Sequence, residues 1–163
     1  MFDGIELHVS AGASVLRLLL AVIFGALIGW DREQRGHDAG FRTHILVCLG
    51  AATFTLVGIE WFEALQASGT TGSDPMRIMA AIVGGVGFLG AGAIMQSGRE
   101  VRGLTTAAGL WVVAGIGLAT GAGAYVLAFT VTALAFVTLA LAKRLSRTIG
   151  PDDRATSDDA ESS

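Results

Sequence analysis

Charged residues divide this chain into long apolar stretches. Asp, Glu, Lys and Arg are absent from Leu18–Trp30, Thr43–Ile59, Ile78–Gly98 and Gly103–Ala142. A helix needs about 20 mostly apolar residues to cross the hydrocarbon core of a bilayer. The third stretch is one such crossing. The first two are short, so their helices must borrow polar flanking residues. The fourth is about twice too long for a single crossing. It breaks at Thr120-Gly121-Ala122-Gly123, where clustered Gly favours a turn. The pattern predicts five transmembrane helices, near Ala13–Trp30, His44–Trp61, Ile78–Gln96, Leu104–Ala119 and Ala124–Ala142. The fold class is therefore all-α, a polytopic membrane helix bundle.

Basic residues then orient it. The predicted connection Asp31–Arg42 carries Arg32, Arg35 and Arg42, the connection Ser97–Gly103 carries Arg99 and Arg102, and the end carries Lys143, Arg144, Arg147 and Arg154. The opposite connections carry only Arg77. Cytoplasmic loops hold the excess of Lys and Arg, so the N-terminus is expected outside and the C-terminus inside. The acidic N-terminal stretch, with Asp3 and Glu6, lacks the positive n-region of a signal peptide, so the first span reads as an anchor.

Composition agrees with the spans. The chain is 52% hydrophobic and 15% charged, against about 25% charged in soluble domains. Residues 1–145 form one transmembrane domain, and residues 146–163, rich in Asp and Ser, read as a disordered acidic cytoplasmic tail. The 23 Gly are the other excess. Gly25 and Gly29 form a G-x-x-x-G pair, and Gly84, Gly85, Gly87, Gly90 and Gly92 crowd the third span. Small residues let helix backbones approach closely in lipid, and spare small-residue faces predict a homo-oligomer. Gly85-Val-Gly-Phe-Leu-Gly90 matches a dinucleotide fingerprint, but it lies inside a membrane span, and Leu110 stands where the ribose-binding acid would be.

Candidate chemistry lies at the cytoplasmic side. The second and fourth helices both start there, each marked by Arg and Thr: Arg42-Thr43 followed by His44, and Arg102 with Thr105 and Thr106. Helix N-termini with Arg attract anions through free N–H groups and the helix dipole. Asp31 and Glu33, with Arg35 beside them, offer the opposite chemistry, oxygen ligands of the kind that hold Mg²⁺. The same charges also suit a salt-bridge network that fixes topology. Asp31 and Arg42, at opposite ends of the hairpin connection, form one candidate pair. At the other side, Arg17 is expected to pair with Glu60 or Glu63. The single Cys48 reads as a packing residue.

These residues also carry a family resemblance. Arg17-Leu-Leu-Leu-Ala21, Gly25-Ala-Leu-Ile-Gly29, Asp31-Arg-Glu-Gln-Arg35 and Ala39-Gly-Phe-Arg-Thr-His44 come first. Gly84-Gly-Val-Gly-Phe-Leu-Gly-Ala-Gly-Ala-Ile94 and Val101-Arg-Gly-Leu-Thr-Thr-Ala-Ala108 follow, ending on Trp111. In this order and spacing the chain resembles the bacterial MgtC/SapB membrane proteins, from about Arg17 to Ala142. The resemblance implies a multi-pass inner-membrane protein tied to magnesium homeostasis and to growth or virulence when Mg²⁺ is scarce, and it permits a regulatory role toward other membrane machinery. Longer members carry a soluble C-terminal domain where this chain has its acidic end. Trp30 stands where Leu is usual.

Three function classes follow. A regulator or partner of other membrane proteins fits the Gly-rich faces. A Mg²⁺ or other ion transporter would need carboxylates at depth, which the third and fourth spans lack. A protein binding an anionic lipid or a phosphate ligand fits the Arg-marked helix starts. No nucleophile–base pair, H-E-x-x-H or P-loop is present, so the chain does not read as an enzyme. No basic nucleic-acid surface exists. Membrane lipid and other membrane proteins are the expected partners, and no cofactor is expected beyond Mg²⁺ at Asp31 and Glu33.

Overall fold

A computed structural model describes residues 8–69, 74–97 and 100–149. Among them are five helices and one small hairpin: α1 (Ala11–Glu33), α2 (Phe41–Ala67), α3 (Pro75–Ala93), β1 (Met95–Ser97), β2 (Glu100–Arg102), α4 (Leu104–Gly121) and α5 (Tyr125–Ile149). The chain is an all-α bundle. By length and composition α1, α2, α3 and α4 can each cross a membrane, and the apolar part of α5 runs from Tyr125 to Leu141. At about 1.5 Å per residue, the 18 residues of α4 nearly match a hydrocarbon core of about 30 Å, and the 27 of α2 exceed it.

Each helix starts for a local reason. Ser10 accepts from the Ala13 N–H, and Asp74 accepts from the Met76 N–H at 2.9 Å ahead of Pro75 at the first helical position. α2 has no cap of its own at Gly40. Instead Glu33, ending α1, reaches across the connection and accepts from the Phe41 N–H at 2.8 Å. The α4–α5 turn passes through Gly123, whose φ of +78° favours glycine.

Two boundaries differ from expectation. α1 continues through Asp31, Arg32 and Glu33, and α2 already includes Arg42, so the connection between them is shorter than Asp31–Arg42. α3 stops at Ala93 rather than Gln96. Ile94 turns extended, and Met95 pairs with Arg102, Gln96 with Val101 and Ser97 with Glu100. The hairpin is closed by Gly103, left-handed at φ +88° and backed directly onto the Ala93 carbonyl, where any side chain would collide. At the other end α5 stays helical to Ile149, past the expected boundary at residue 145, and the remaining acidic tail lies outside the described residues.

The core is built on α2. A Cβ at Gly25 would lie 2.8 Å from the His44 carbonyl and 3.0 Å from Cys48 Cβ, and one at Gly29 would lie 2.8 Å from Phe41 Cα. These contacts make α1 and α2 antiparallel. On the other flank, Gly117 stands against the Cys48 carbonyl and Ala51, and Gly121 against Ala52 and Thr55, so α4 runs parallel to α2. The buried residues between them are mostly small or branched: Ala21, Ile28, Cys48, Ala52, Val113 and Ile116, with Ala128 from α5. The large apolar side chains point outward, among them Leu46, Phe54, Phe88 and Val126. In water that would be inside out; in lipid it is the expected arrangement, because helices there associate through close packing.

α3 is different. Only Val86 and Gly90 are buried along it. Gly90 meets Ala107 of α4 at ordinary contact distance, but Gly84, Gly85, Gly87 and Gly92 have open space where a side chain would be. Four glycines of the expected packing stripe therefore have nothing packed at their Cβ positions among the described residues.

These contrasts predict opposite outcomes for the same substitution. Gly117→Ala drives a methyl to within 2.8 Å of Ala51 Cβ, and overpacking of this kind costs about 1–3 kcal/mol. Gly84→Ala meets nothing and stabilises the helix by up to about 1 kcal/mol. Thermal unfolding in detergent should show a lowered midpoint for the first and an unchanged or raised one for the second.

Candidate functional site: a polar pocket at one end of the bundle

The end of the bundle where α1 finishes and α2 and α4 begin gathers the charged residues. The central one is Arg32, which is only 3% exposed although it is a charged residue at a helix end. Its place follows from helical periodicity. Ala21, Gly25, Ile28 and Arg32 fall at spacings of three and four residues and are all buried. Arg32 thus continues the inward stripe of α1. Its Nη2 donates to Thr106 Oγ1 at 2.8 Å, while Nε is buried with no partner. No carboxylate forms an ion pair with Arg32 among the described residues.

Around Arg32 lies a cavity of about 470 Å³, lined also by Asp31, Arg35, His37, Thr105 and Leu139. Asp31 Oδ1 accepts from Arg35 Nε at 2.9 Å, and Arg35 also donates to the Leu139 carbonyl of α5. Asp31 Oδ2 is buried and unpartnered. His37 Nδ1 is likewise buried without a partner. Desolvation, reinforced by the positive charge of Arg32, pushes the His37 imidazole below its ordinary pKa, so it is neutral at pH 7. The floor is the start of α4. Gly103 supplies no side-chain cap there for the first-turn N–H groups, which include that of Thr105.

Not every expected site residue takes part. Asp31, Arg35, Thr105 and Thr106 meet in or beside the pocket. Glu33 is engaged at the start of α2 and Asp31 with Arg35, so the carboxylates expected to share Mg²⁺ have separate protein partners. No group of three or more His, Cys, Asp or Glu able to hold a metal occurs among the described residues. The Asp31–Arg42 pair does not form. Arg35 is four residues on from Asp31 and takes its oxygen, while Arg42 sits in the exposed first turn of α2. Thr43 faces a different groove, between α2 and α3, and Arg102 is exposed on β2 outside the pocket. His44 is fully buried. Its Nδ1 lies 2.8 Å from the Gly40 carbonyl, which can only accept, so Nδ1 carries the proton and the unpartnered Nε2 faces Gly109 of α4.

At the opposite end the expected pairing of Arg17 with Glu60 or Glu63 is replaced. Arg17 Nη1 donates to the Gly121 carbonyl at 2.9 Å and its guanidinium covers Gly123. The carbonyls of Leu118, Ala119 and Thr120 accept from the N–H groups of the turn, and that of Gly121, at the negative end of the α4 dipole, attracts a cation. Glu60 is occupied by the backbone N–H groups of His8 and Val9, each at 2.9 Å.

Fold and pocket together define a multi-pass helical membrane protein with a charged recess at one end. Comparison with known proteins gives the family: the MgtC family model matches residues 18–148, and the chain belongs to that family. It is 45% identical over 111 residues to the Escherichia coli K12 protein named "Putative magnesium transporter YhiD", a match covering 68% of this chain and 52% of that protein. It is 49% identical over 111 residues to protein MgtC of Salmonella typhimurium LT2, covering 68% of this chain and 44% of that protein. It is 37% identical over 139 residues to protein SapB of Bacillus subtilis, covering 85% and 60%. The chain spans about half the length of the curated relatives it matches. No solved structure matches it.

Arg32, Gln34, His37 and Leu139 line the pocket but are not in the expected set, and the bond of Arg32 to Thr106 is testable. Removing the hydroxyl leaves a buried guanidinium short of an acceptor, and hydrogen bonds to charged groups contribute about 1.5–3 kcal/mol. Thr106→Val should lower the unfolding midpoint in detergent, and Thr106→Ser should restore most of it. Equal stability of the two variants would mean the bond contributes nothing.

Proposed function

We propose that this protein serves growth and magnesium homeostasis at low Mg²⁺ as a regulator or partner of other inner-membrane proteins, and that it does not itself carry the ion. Family membership, with a relative named for magnesium transport, supports the magnesium link. The observation that carries the regulatory reading is the dry middle of the bundle. An ion path needs oxygen ligands at depth. Thr55, Thr120 and Thr132 are buried in the spans, but each hydroxyl donates to a carbonyl four residues back in its own helix. Gly25, Gly29, Gly117 and Gly121 bring the helices into backbone contact there, so α1, α2 and α4 leave no polar conduit between them.

The partner-facing element in this reading is α3. One of its open glycines, Gly85, lines an apolar groove of about 750 Å³ between α2 and α3, with Phe88 81% exposed beyond it. Small residues beside an open groove suit a transmembrane helix of the partner. A second copy of this chain would meet the same chemistry.

Purified protein in liposomes should give Mg²⁺ flux no greater than protein-free vesicles, while the same gene supports growth of a deletion strain in low Mg²⁺. Gly85→Leu fills the groove without touching the core and should leave the melting midpoint unchanged while abolishing that growth support. Saturable Mg²⁺ flux would overturn the reading.

The orientation follows from the basic residues, with the pocket facing the cytoplasm. In intact cells a membrane-impermeant thiol reagent should label Ser68→Cys and Ala122→Cys, and should label Gln34→Cys only after permeabilisation. Labelling of Gln34→Cys and Ala122→Cys from the same side would contradict it.

A further inference from the structure

The pocket's unpartnered atoms specify a ligand. Arg32 is 97% buried, since 3% of it is exposed, and it lines the cavity with Nε unused. A buried guanidinium without a counter-charge is costly. The titratable lining side chains are Asp31, negative; Arg32 and Arg35, positive; and His37, neutral at pH 7, with the uncharged Gln34 beside them. Asp31, bonded to Arg35 and also acting on Arg32, is one negative charge against two guanidiniums, so one positive charge is left over. Thr105 brings the uncapped first turn of α4 to the same wall, adding backbone donors and the positive end of a helix dipole. All these features ask for an anion. One asks for more: Asp31 Oδ2 is a buried acceptor with nothing donating to it. A bare anion placed there would be repelled by that oxygen.

We propose that the pocket binds a singly charged phosphate group that also carries a hydrogen-bond donor. The phosphate oxygens accept from the Arg32 guanidinium and the start of α4, and the donor, a P–OH or a headgroup hydroxyl, meets the Asp31 carboxylate. A guanidinium and a helix N-terminus are the groups that bind phosphate elsewhere in proteins. A cavity of about 470 Å³ lies within the usual range for small-molecule sites. The same chemistry is offered by inorganic phosphate and by the headgroup of phosphatidylglycerol. Phosphatidylcholine has the phosphodiester but no donor. The proposal is independent of whether the protein regulates a partner or moves an ion, so neither result decides the other.

The test uses the full chain in detergent. Thermal unfolding is followed with sodium phosphate against sodium chloride at equal ionic strength, and in mixed micelles of phosphatidylglycerol against phosphatidylcholine. A raised midpoint with phosphate identifies a soluble ligand, and one with phosphatidylglycerol identifies a lipid headgroup; either supports the site. Equal shifts with chloride or phosphatidylcholine, or no shift at all, overturn it. Arg32→Gln should lose the shift. Because that variant alters a buried group, Thr105→Glu is the second. A carboxylate in the first turn suits the helix dipole, so the fold should be at least as stable, yet it occupies the phosphate position and should abolish the shift. A Thr105→Glu protein that keeps the full ligand shift would also overturn the proposal.

Discussion

The close approach of α2 to α1 and α4 is the contact on which the rest of the molecule depends. In lipid, apolar surface gains little by meeting other apolar surface, so helices are held by dispersion between backbones that come very near. Gly25 and Gly29 on one side and Gly117 and Gly121 on the other give α2 that proximity along most of its length. On the α4 side the facing residues of α2 are small as well, Cys48, Ala51, Ala52 and Thr55. A methyl added at any of the four glycines would fall inside contact distance of α2, partly of its backbone, which cannot rotate away. The register of the three helices is therefore fixed by steric fit, and everything at their ends is positioned by it.

The pocket is one consequence. With α1 and α4 both docked on α2, the last inward position of α1 comes opposite the first turn of α4, which brings Arg32 to Thr106. The charge is tolerated at this depth because the helix ends there and the cavity reaches Asp31, Arg35 and the α5 carbonyl at Leu139. Arg17 uses the same logic at the other end, where the docked α4 offers its terminal carbonyls. Each end thus holds a cation of α1 against α4, a donor meeting a side-chain hydroxyl at the start of that helix and a backbone carbonyl at its finish. A cation suits the finish, where the dipole is negative, and is opposed at the start. That asymmetry leaves Arg32, not Arg17, with charge to spare for a ligand.

How much of this the sequence disclosed depended on the kind of signal. The spans are legible because lipid excludes charge, and gaps in Asp, Glu, Lys and Arg read that exclusion directly. The G-x-x-x-G at Gly25 and Gly29 is legible for the same reason. The equivalent spacing at Gly117 and Gly121 straddled the predicted end of the fourth span and was divided between a helix and a turn. Arg32 was hidden by a boundary too. With the first helix ended at Trp30, Asp31 to Arg35 read as an undifferentiated charged connection. Extending the helix by one turn places Arg32 on the stripe of Ala21, Gly25 and Ile28 and leaves Asp31 free to meet Arg35. The hairpin at Met95–Arg102 had no comparable signal, since three-residue strands are too short for alternation to register.

The glycines of α3 mark where sequence reasoning of this kind stops. They look the same as those of α1 and α4, but among the described residues all except Gly90 meet open space. A small-residue stripe says that a backbone comes close, and not whose backbone it is. What the fold adds is where that unfilled stripe is anchored. α3 ends at Ala93, whose carbonyl backs onto Gly103, and Gly103 is the residue from which α4 starts its uncapped first turn at the pocket wall. Any side chain at Gly103 would separate the two helices. The open face of α3 and the anion-seeking end of α4 therefore share a single rigid joint, while α1, α2 and α4 are locked to one another elsewhere. A shift of the α4 start relative to α2 is resisted by Gly117 and Gly121, whereas α3 is held through Ile78 against Gly58, Ile82 and Val86 against Ala51 and Ala114, and Gly90 against Ala107.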